Sequence, residues 1–221
     1  MRLDFWQARL ARLLLSALLA APTLALAAGQ ELKLSLKGDL AGTELKAEVD
    51  FRREAGHLFR RHYDVGVRIP LSELAKGLSL GLNYRLVYTP ADNGGWNLEK
   101  RPHMQLQKTF DTAATSWFPA LRWGLRSRHE FRFRQQKEDS QRNRIRLKVQ
   151  SKRAFYTVRP FAANEYYYDF RKDELSKIKA ELGLSFNKVY GLKPSLSYKY
   201  TSTHKQGEWQ SYSALALKLA F

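Results

Sequence analysis

Apolar and polar residues alternate along almost the whole chain after Thr43, with a period of two rather than the 3.6 residues of a helix. In the segment 78–88, for example, six apolar residues at even positions stand opposite Gly81, Asn83 and Arg85. Ten segments of this kind follow Thr43. No amphipathic helix longer than the connection 71–76 is predicted. The pattern therefore predicts an all-β fold.

The predicted strands are mostly about 10 residues or longer, which is the length that crosses a bilayer at a tilt. Strands of a soluble sandwich are nearer 5–6 residues and turn their apolar side inward. Long strands that alternate apolar-out and polar-in between turns are typical of a transmembrane barrel. We therefore predict a single antiparallel transmembrane β-barrel over residues 28–221, with about 10 strands (range 10–12).

The segment 28–42 leaves the strand count open. Leu32, Leu34 and Leu36 alternate with lysine and serine, as in a further strand. A bacterial barrel usually has an even number of strands and both termini in the periplasm. The segment is therefore either a periplasmic or lumenal extension, or the first strand of twelve. We favour ten full strands with an extra N-terminal piece.

With the chain end placed in the periplasm, the polar connections 89–95, 135–143, 169–174 and 202–208 are extracellular. Aromatic residues then sort into two belts, as headgroup anchors do in membrane barrels. The outer belt comprises Tyr88, Trp96, Phe133, Tyr168, Tyr200 and Trp209. The inner belt comprises Phe110, Trp117, Phe155 and Phe221.

Residues 1–27 have the pattern of a cleaved signal peptide. Three arginines accompany an apolar run from Leu13 to Leu26, and small residues at Ala25 and Ala27 predict cleavage after Ala27. The run is short for a membrane-spanning helix, although an uncleaved anchor is the alternative. The chain has no cysteine, which in an exported protein fits the bacterial envelope better than a disulfide-stapled secreted domain. We predict the outer membrane of a Gram-negative bacterium.

The chain is strongly basic, with 38 lysines and arginines against 21 acids and a net charge of +17. The alternation places many of these cations on the polar, lumen-facing side of the barrel. The predicted anion-binding residues are Arg85, Arg101, Arg122, Arg126, Arg128, Arg132, Arg134, Arg144, Arg146, Lys148, Arg159, Lys177 and Lys179. The predicted counter-charges are Glu130, Glu165 and Glu181. The surplus of cations predicts bound anions, a hydrated channel, or both.

Two functions fit this lumen. It is either a narrow anion-selective pore for small anionic solutes, such as acidic oligosaccharides, or a non-conducting structural barrel filled by salt bridges. An enzyme is not expected, although His57 and His62 near Asp64 and Glu54 keep an outer-membrane hydrolase as a minor alternative. No cofactor or metal site is predicted. Nucleic-acid binding is excluded because the aromatic residues occupy the face opposite the cations, and because the chain is exported.

Short arginine and glutamate alternations resemble an uncharacterised bacterial family, a domain of unknown function whose members are predicted outer-membrane barrels. The resemblance runs from Leu32 to Phe221. It is carried by the motifs Arg128-His-Glu130-Phe-Arg132-Phe-Arg134, Asn143-Arg144-Ile-Arg146, Arg159-Pro160-Phe161 and Asn164-Glu165-Tyr166.

The layout is also similar to the oligogalacturonate-specific porin family, which implies an arginine-lined lumen for acidic oligosaccharides. The twelve strands of that family are one hairpin more than the ten counted here. The alternation that ends at Phe221 resembles the signal read by the outer-membrane assembly machinery. The expected partners are therefore that machinery, outer-membrane lipid and lipopolysaccharide, and small anionic solutes.

Overall fold

The structure, a computed structural model, describes residues 29–116, 119–135, 137–205 and 207–221. In these residues eleven strands form one closed barrel, which confirms the predicted all-β barrel. The predicted signal peptide lies outside the described residues. The strands are β1 (Gly29–Leu40), β2 (Thr43–Glu54), β3 (His57–Pro70), β4 (Leu78–Pro90), β5 (Trp96–Thr112), β6 (Leu121–Arg134), β7 (Ser140–Ser151), β8 (Val158–Asp169), β9 (Glu174–Phe186), β10 (Lys193–Lys205) and β11 (Glu208–Ala220).

Tight turns join the first three strands. The β1–β2 turn consists of Ala41 and Gly42, with φ angles of 49° and 78°, and the β2–β3 turn consists of Ala55 and Gly56, with φ angles of 47° and 79°. Two consecutive residues with positive φ form the type I′ turn, whose twist matches that of the flanking strands. Glycine adopts this conformation without steric cost, which is why it stands second in both turns. The turn at Ala41 thereby makes β1 an antiparallel neighbour of β2.

Within the segment 28–42, residues 29–40 form a full strand of the wall, β1, rather than an extension or the first strand of twelve. Strand β1 also pairs with β11, and this pairing is parallel, from Gly29 opposite Ala214 to Ser35 opposite Ala220. The expectation of an even number of strands is therefore wrong, and so is the expectation that every strand pairing is antiparallel. The physical reason is that successive hairpins reverse direction, so that the first and last of eleven strands run the same way.

The two faces of the wall have opposite chemistry, as the alternation predicts. The outward-facing Leu82 and Leu182 are 46% and 65% exposed, whereas the inward-facing Arg85 and Glu130 are 7% and 0% exposed. Most buried side chains of the described residues are polar or charged. This inverted arrangement is compatible with an outer-membrane protein.

No helix in the described part of the chain is long and apolar enough to cross a membrane.

Members of both predicted aromatic belts are exposed on the outside of the barrel. They include Phe133, Tyr168, Tyr200 and Trp209 of the outer belt and Phe110, Phe155 and Phe221 of the inner belt. Trp117 lies outside the described residues. Their assignment to the two membrane interfaces stays a prediction.

One inward-facing glycine provides a test of the packing inside the barrel. A Cβ atom at Gly183 would lie 2.6 Å from the Phe161 ring, 2.7 Å from the Leu196 carbonyl oxygen and 2.7 Å from Cβ of Ser197. We expect Gly183→Ala to lower the free energy of unfolding by about 1–3 kcal/mol, because two of these three atoms cannot easily move. Urea unfolding of the refolded protein in detergent micelles measures this change.

Gly124 is the matched control for this substitution. It also lies within a strand, but a Cβ atom there would meet no described atom within 4 Å. We expect Gly124→Ala to change the stability by less than about 0.5 kcal/mol. Equal effects of the two substitutions would contradict the close approach of Phe161 to β9.

Candidate functional site

The strand register brings the predicted cations together on one wall of the lumen. Across β6 and β7, Arg126 lies opposite Arg146 and Arg128 lies opposite Arg144. Directly opposed side chains on one face have Cβ atoms about 4.5–5.5 Å apart, and like charges at this spacing repel each other. The wall is therefore stable only with compensating negative charge or bound anions.

Glu130 supplies part of this compensation at the centre of the barrel. Its carboxylate lies 2.5 Å from Nη2 of Arg142 and 2.6 Å from Nη1 of Arg144. Guanidinium nitrogens of Arg101 and Arg128 each lie 3.7 Å from the same carboxylate. One buried carboxylate thus faces four guanidinium groups from three strands.

Glu165 continues the ion-pair network on the next strand. Arg126 donates to its Oε1 atom at 2.8 Å, and Arg144 donates to the same oxygen at 3.0 Å. The Tyr167 hydroxyl donates to Oε2 at 2.7 Å. Because Arg144 contacts both Glu130 and Glu165, the two carboxylates belong to one network. We call its most buried charged members the central ion-pair layer: Arg101, Arg128, Glu130, Arg142, Arg144 and Glu165, none more than 8% exposed.

Further ion pairs line the opposite wall of the barrel. Asp64 accepts from Arg85 at 2.6 Å, and Asp50 lies 2.9 Å from Arg52. Glu31 of β1 lies 2.5 Å from Nζ of Lys199 on β10, next to the closing β11. Buried side chains of alternating sign therefore fill the middle of the barrel, which is the arrangement expected of a salt-bridge-filled lumen.

Towards the end of the barrel at which β11 finishes, the C-terminal end, the lumen contains open space that is lined mainly by cations. Two cavities of about 210 and 490 Å³ adjoin there and share six lining residues, including Lys33, Lys199 and Lys218. Eight lysine or arginine side chains but only two acidic side chains line the larger cavity, which reaches Phe221. We call this larger cavity the basic vestibule. Clustered charge of one sign in a cleft raises the local concentration of anions.

The other predicted lumen residues occupy different depths. Arg146 and Lys148 line the basic vestibule, and Arg146 pairs with Glu181 at 2.7 Å. Lys179 lines the smaller cavity, and the ammonium groups of Lys179 and Lys177 face the Tyr167 ring at 5.7 and 5.8 Å. These positions agree with the predicted inward face.

Four predicted residues lie towards the ends of their strands. The Arg122 side chain is 57% exposed and pairs with Asp111 at 2.9 Å. Arg159 donates a hydrogen bond to Asn187 at 2.7 Å. At the opposite end, Arg132 donates to Glu99 at 2.6 Å, and Arg134 donates to the Glu138 carbonyl oxygen at 2.5 Å. These four side chains therefore lie outside the central ion-pair layer.

The sequence prediction misses several residues that matter to the lumen. Arg142 falls in the predicted loop 135–143, whereas β7 begins at Ser140 and carries Arg142 inward. Lys33 is missed because the pattern leaves segment 28–42 unassigned. The same alternation extends through both positions, so a stricter use of the period-two pattern could have found them.

The residues of the minor hydrolase alternative do not form one group. His62 is buried inside the barrel, with Nδ1 3.3 Å from Asp50, whereas His57 is exposed at the β2–β3 turn. Asp64 lies seven residues from His57 along β3, about 23 Å at the usual rise of a strand. The described residues also contain no cluster of His, Asp and Glu suited to a metal ion.

Sequence comparison relates most of the barrel to a protein family. A family model described as a protein of unknown function, DUF2490, matches residues 31–212, which includes part or all of every strand of the barrel. No curated protein matches the chain. The similarity to the oligogalacturonate-specific porin family therefore stays a prediction.

Proposed function

The chain belongs to DUF2490, a family of proteins of unknown function, and from its geometry we propose that it is an outer-membrane barrel whose basic lumen takes up small anionic solutes. The basic vestibule carries this proposal, because its lining has eight cationic side chains but only two acidic ones. Rings and clusters of arginine and lysine are what anion pores use to attract their solutes. The vestibule opens at the C-terminal end, which would face the periplasm.

Membrane insertion is supported by the inverted chemistry of the wall. The strands contain 12 to 17 residues, more than the 9–11 residues that a tilted transmembrane strand needs. Fractionation of bacterial envelopes, combined with gel migration before and after heating, tests the location. We expect the protein in the outer-membrane fraction with heat-modifiable migration. Recovery from the soluble periplasm would contradict the proposal.

The central ion-pair layer favours a second candidate function, a non-conducting structural barrel. Its six side chains are nearly inaccessible, so an ion crossing the barrel must displace or pass between paired charges. Separating buried ion pairs is costly. The two candidates therefore differ in one measurable property, the conductance of the folded protein.

Single-channel recording in a planar bilayer separates the two candidates. Under a salt gradient, we expect small channels whose reversal potential indicates a preference for anions. Lys148→Glu and Lys193→Glu should each reduce this preference, because these lysines line the basic vestibule and have no ion-pair partner among the described residues. Raising the salt to 1 M should weaken it as well, since the Debye length falls to about 3 Å.

Lys100→Glu is the control for these recordings, because Lys100 is exposed on the outward face beside Leu86. It should leave the reversal potential unchanged. Correctly folded protein without conductance would favour the structural barrel. Cation preference in the unmodified protein would contradict an anion-attracting lumen.

A further inference from the structure

Four lysines meet where the barrel closes. Lys33 of β1 lies directly opposite Lys218 of β11, and Lys37 of β1 lies directly opposite Lys46 of β2. We call these four residues the seam lysines. Like charges directly opposite each other on one face of a sheet are destabilising. Two such lysine pairs, one across the parallel β1–β11 pairing and one across the adjoining β1–β2 pairing, therefore need an explanation from their surroundings.

The neighbouring carboxylates compensate only part of this charge. Glu48 pairs with both Lys33 and Lys46, and Glu44 pairs with Lys37 at 2.8 Å. Glu44 also pairs with Arg68 at 3.1 Å. Among the described residues, Lys218 has no ion-pair partner within 4.0 Å. Arg85 also lies 3.9 Å from Glu48, so five cations pair with these two carboxylates and Lys218 pairs with neither.

All four seam lysines line the smaller cavity, of about 210 Å³, and so do seven arginines and four carboxylates, Glu48, Asp50, Glu165 and Glu181. At about 30 Å³ per water molecule, this space corresponds to roughly seven waters. It can accept a compact polyanionic group but not a folded chain or an oligosaccharide of several units. Because the cavity adjoins the basic vestibule, such a group could enter from the C-terminal end.

We propose that the seam lysines form a binding site for a phosphoryl group, either inorganic phosphate or the phosphate end of a small phosphomonoester. This inference rests on the proposed anion-attracting lumen and names the chemistry of one subsite within it. A lysine ammonium is a compact charge with three donors, and several of them can each meet a different phosphate oxygen. The seven arginines that also line this cavity each pair with a carboxylate. A phosphomonoester carries about −1.5 to −2 charge at pH 7, more than a carboxylate, so a cluster of lysines favours it.

The bound phosphoryl group would also hold the barrel closed. It would neutralise the repulsion between Lys33 and Lys218, which lie on the two strands of the parallel seam. A ligand that binds only the folded state raises its stability in proportion to the logarithm of the ligand concentration above the dissociation constant. Phosphate should therefore raise the temperature at which the folded band disappears in gels.

The test uses the full chain refolded in detergent micelles, at an ionic strength held constant with sodium chloride. Binding of inorganic phosphate, glycerol phosphate and acetate is measured separately by isothermal titration calorimetry. We expect both phosphate compounds to bind more tightly than acetate. Lys218→Gln and Lys33→Gln should each weaken phosphate binding about tenfold, the cost of losing one charge-assisted hydrogen bond.

Lys193→Gln is the matched control, because Lys193 lines the basic vestibule but not the smaller cavity. It should change phosphate affinity by less than about threefold, since it removes only a distant charge. Lys218→Arg keeps the charge and should therefore retain phosphate binding. It is the second variant at this position, for use if Lys218→Gln does not fold. If inorganic phosphate binds and glycerol phosphate does not, the ligand is the free ion. If both bind, the site also accepts the phosphoryl group of a larger solute.

Three outcomes would overturn the inference: unchanged phosphate affinity in Lys218→Gln, an equal loss in Lys193→Gln, or acetate binding as tight as phosphate. If planar bilayers still show anion preference in any of these cases, the proposed function stands and only the seam site fails. If the unmodified protein shows neither phosphate binding nor anion preference, both proposals fail.

Discussion

Glu130→Gln should destabilise the folded barrel by about 3–5 kcal/mol, the usual cost of removing one partner of a buried ion pair. The Glu130 side chain is fully buried, and its carboxylate lies 2.5 Å from Arg142 and 2.6 Å from Arg144. The neutral amide would leave these guanidinium groups with less compensating charge in an environment that excludes water. The midpoint of urea unfolding in detergent micelles, followed by heat-modifiable gel migration, measures the loss.

Glu138→Gln is the control for Glu130→Gln. The Glu138 side chain is 76% exposed and pairs with Arg171 at the end of the barrel opposite the C-terminal end. Loss of this exposed ion pair should have no measurable effect on stability. Adding Arg142→Gln to the Glu130→Gln variant should restore part of the stability, because the double variant removes an unpaired charge as well. No restoration would mean that Glu130 acts through packing and not through its charge.

Leu182→Arg should impair insertion of the barrel into lipid vesicles by about 2–4 kcal/mol, the cost of an arginine on the lipid-facing surface near the membrane midplane. Leu182 is 65% exposed and lies in the middle of β9, and Leu82→Arg, at a position 46% exposed on β4, should act similarly. The folded fraction after dilution from urea into vesicles, read from heat-modifiable migration, gives the effect.

Lys179→Arg is the matched control, because it places an arginine on the same strand but on the inward face, where a cation already stands. It should insert like the unmodified protein. The outward face would not contact lipid if Leu182→Arg and Lys179→Arg inserted equally well. A defect of Leu182→Arg in vesicles but not in detergent micelles would agree with the proposed membrane location.

The sequence predicted the wall of the barrel well but its closure poorly. The period-two alternation identified β2 to β11 and assigned inward and outward faces, because each strand must separate lipid-facing from lumen-facing side chains along its own length. Residues 29–40 carry the same alternation, yet the alternation alone does not reveal a pairing partner. Whether such a segment joins the wall depends on a free edge at β11, far away in the sequence.

The candidate site was predictable to a similar extent. The sequence predicted that Glu130, Glu165 and Glu181 would face the lumen as counter-charges, since alternation decides which way a side chain points. It did not show that Glu130 contacts four guanidinium groups, because these contacts depend on the register of β5, β6 and β7. A shift of one residue in register would turn each side chain to the other face.

The sequence by itself determined which residues face inward, since this follows from the local geometry of each strand. Only the tertiary structure decided which charges lie beside each other and where space is left between them. Eleven strands closed by a parallel seam place Lys33 next to Lys218, although 185 positions separate them in the chain. Charge interactions depend on distance in space, so the filled centre and the basic vestibule emerge only when the barrel closes.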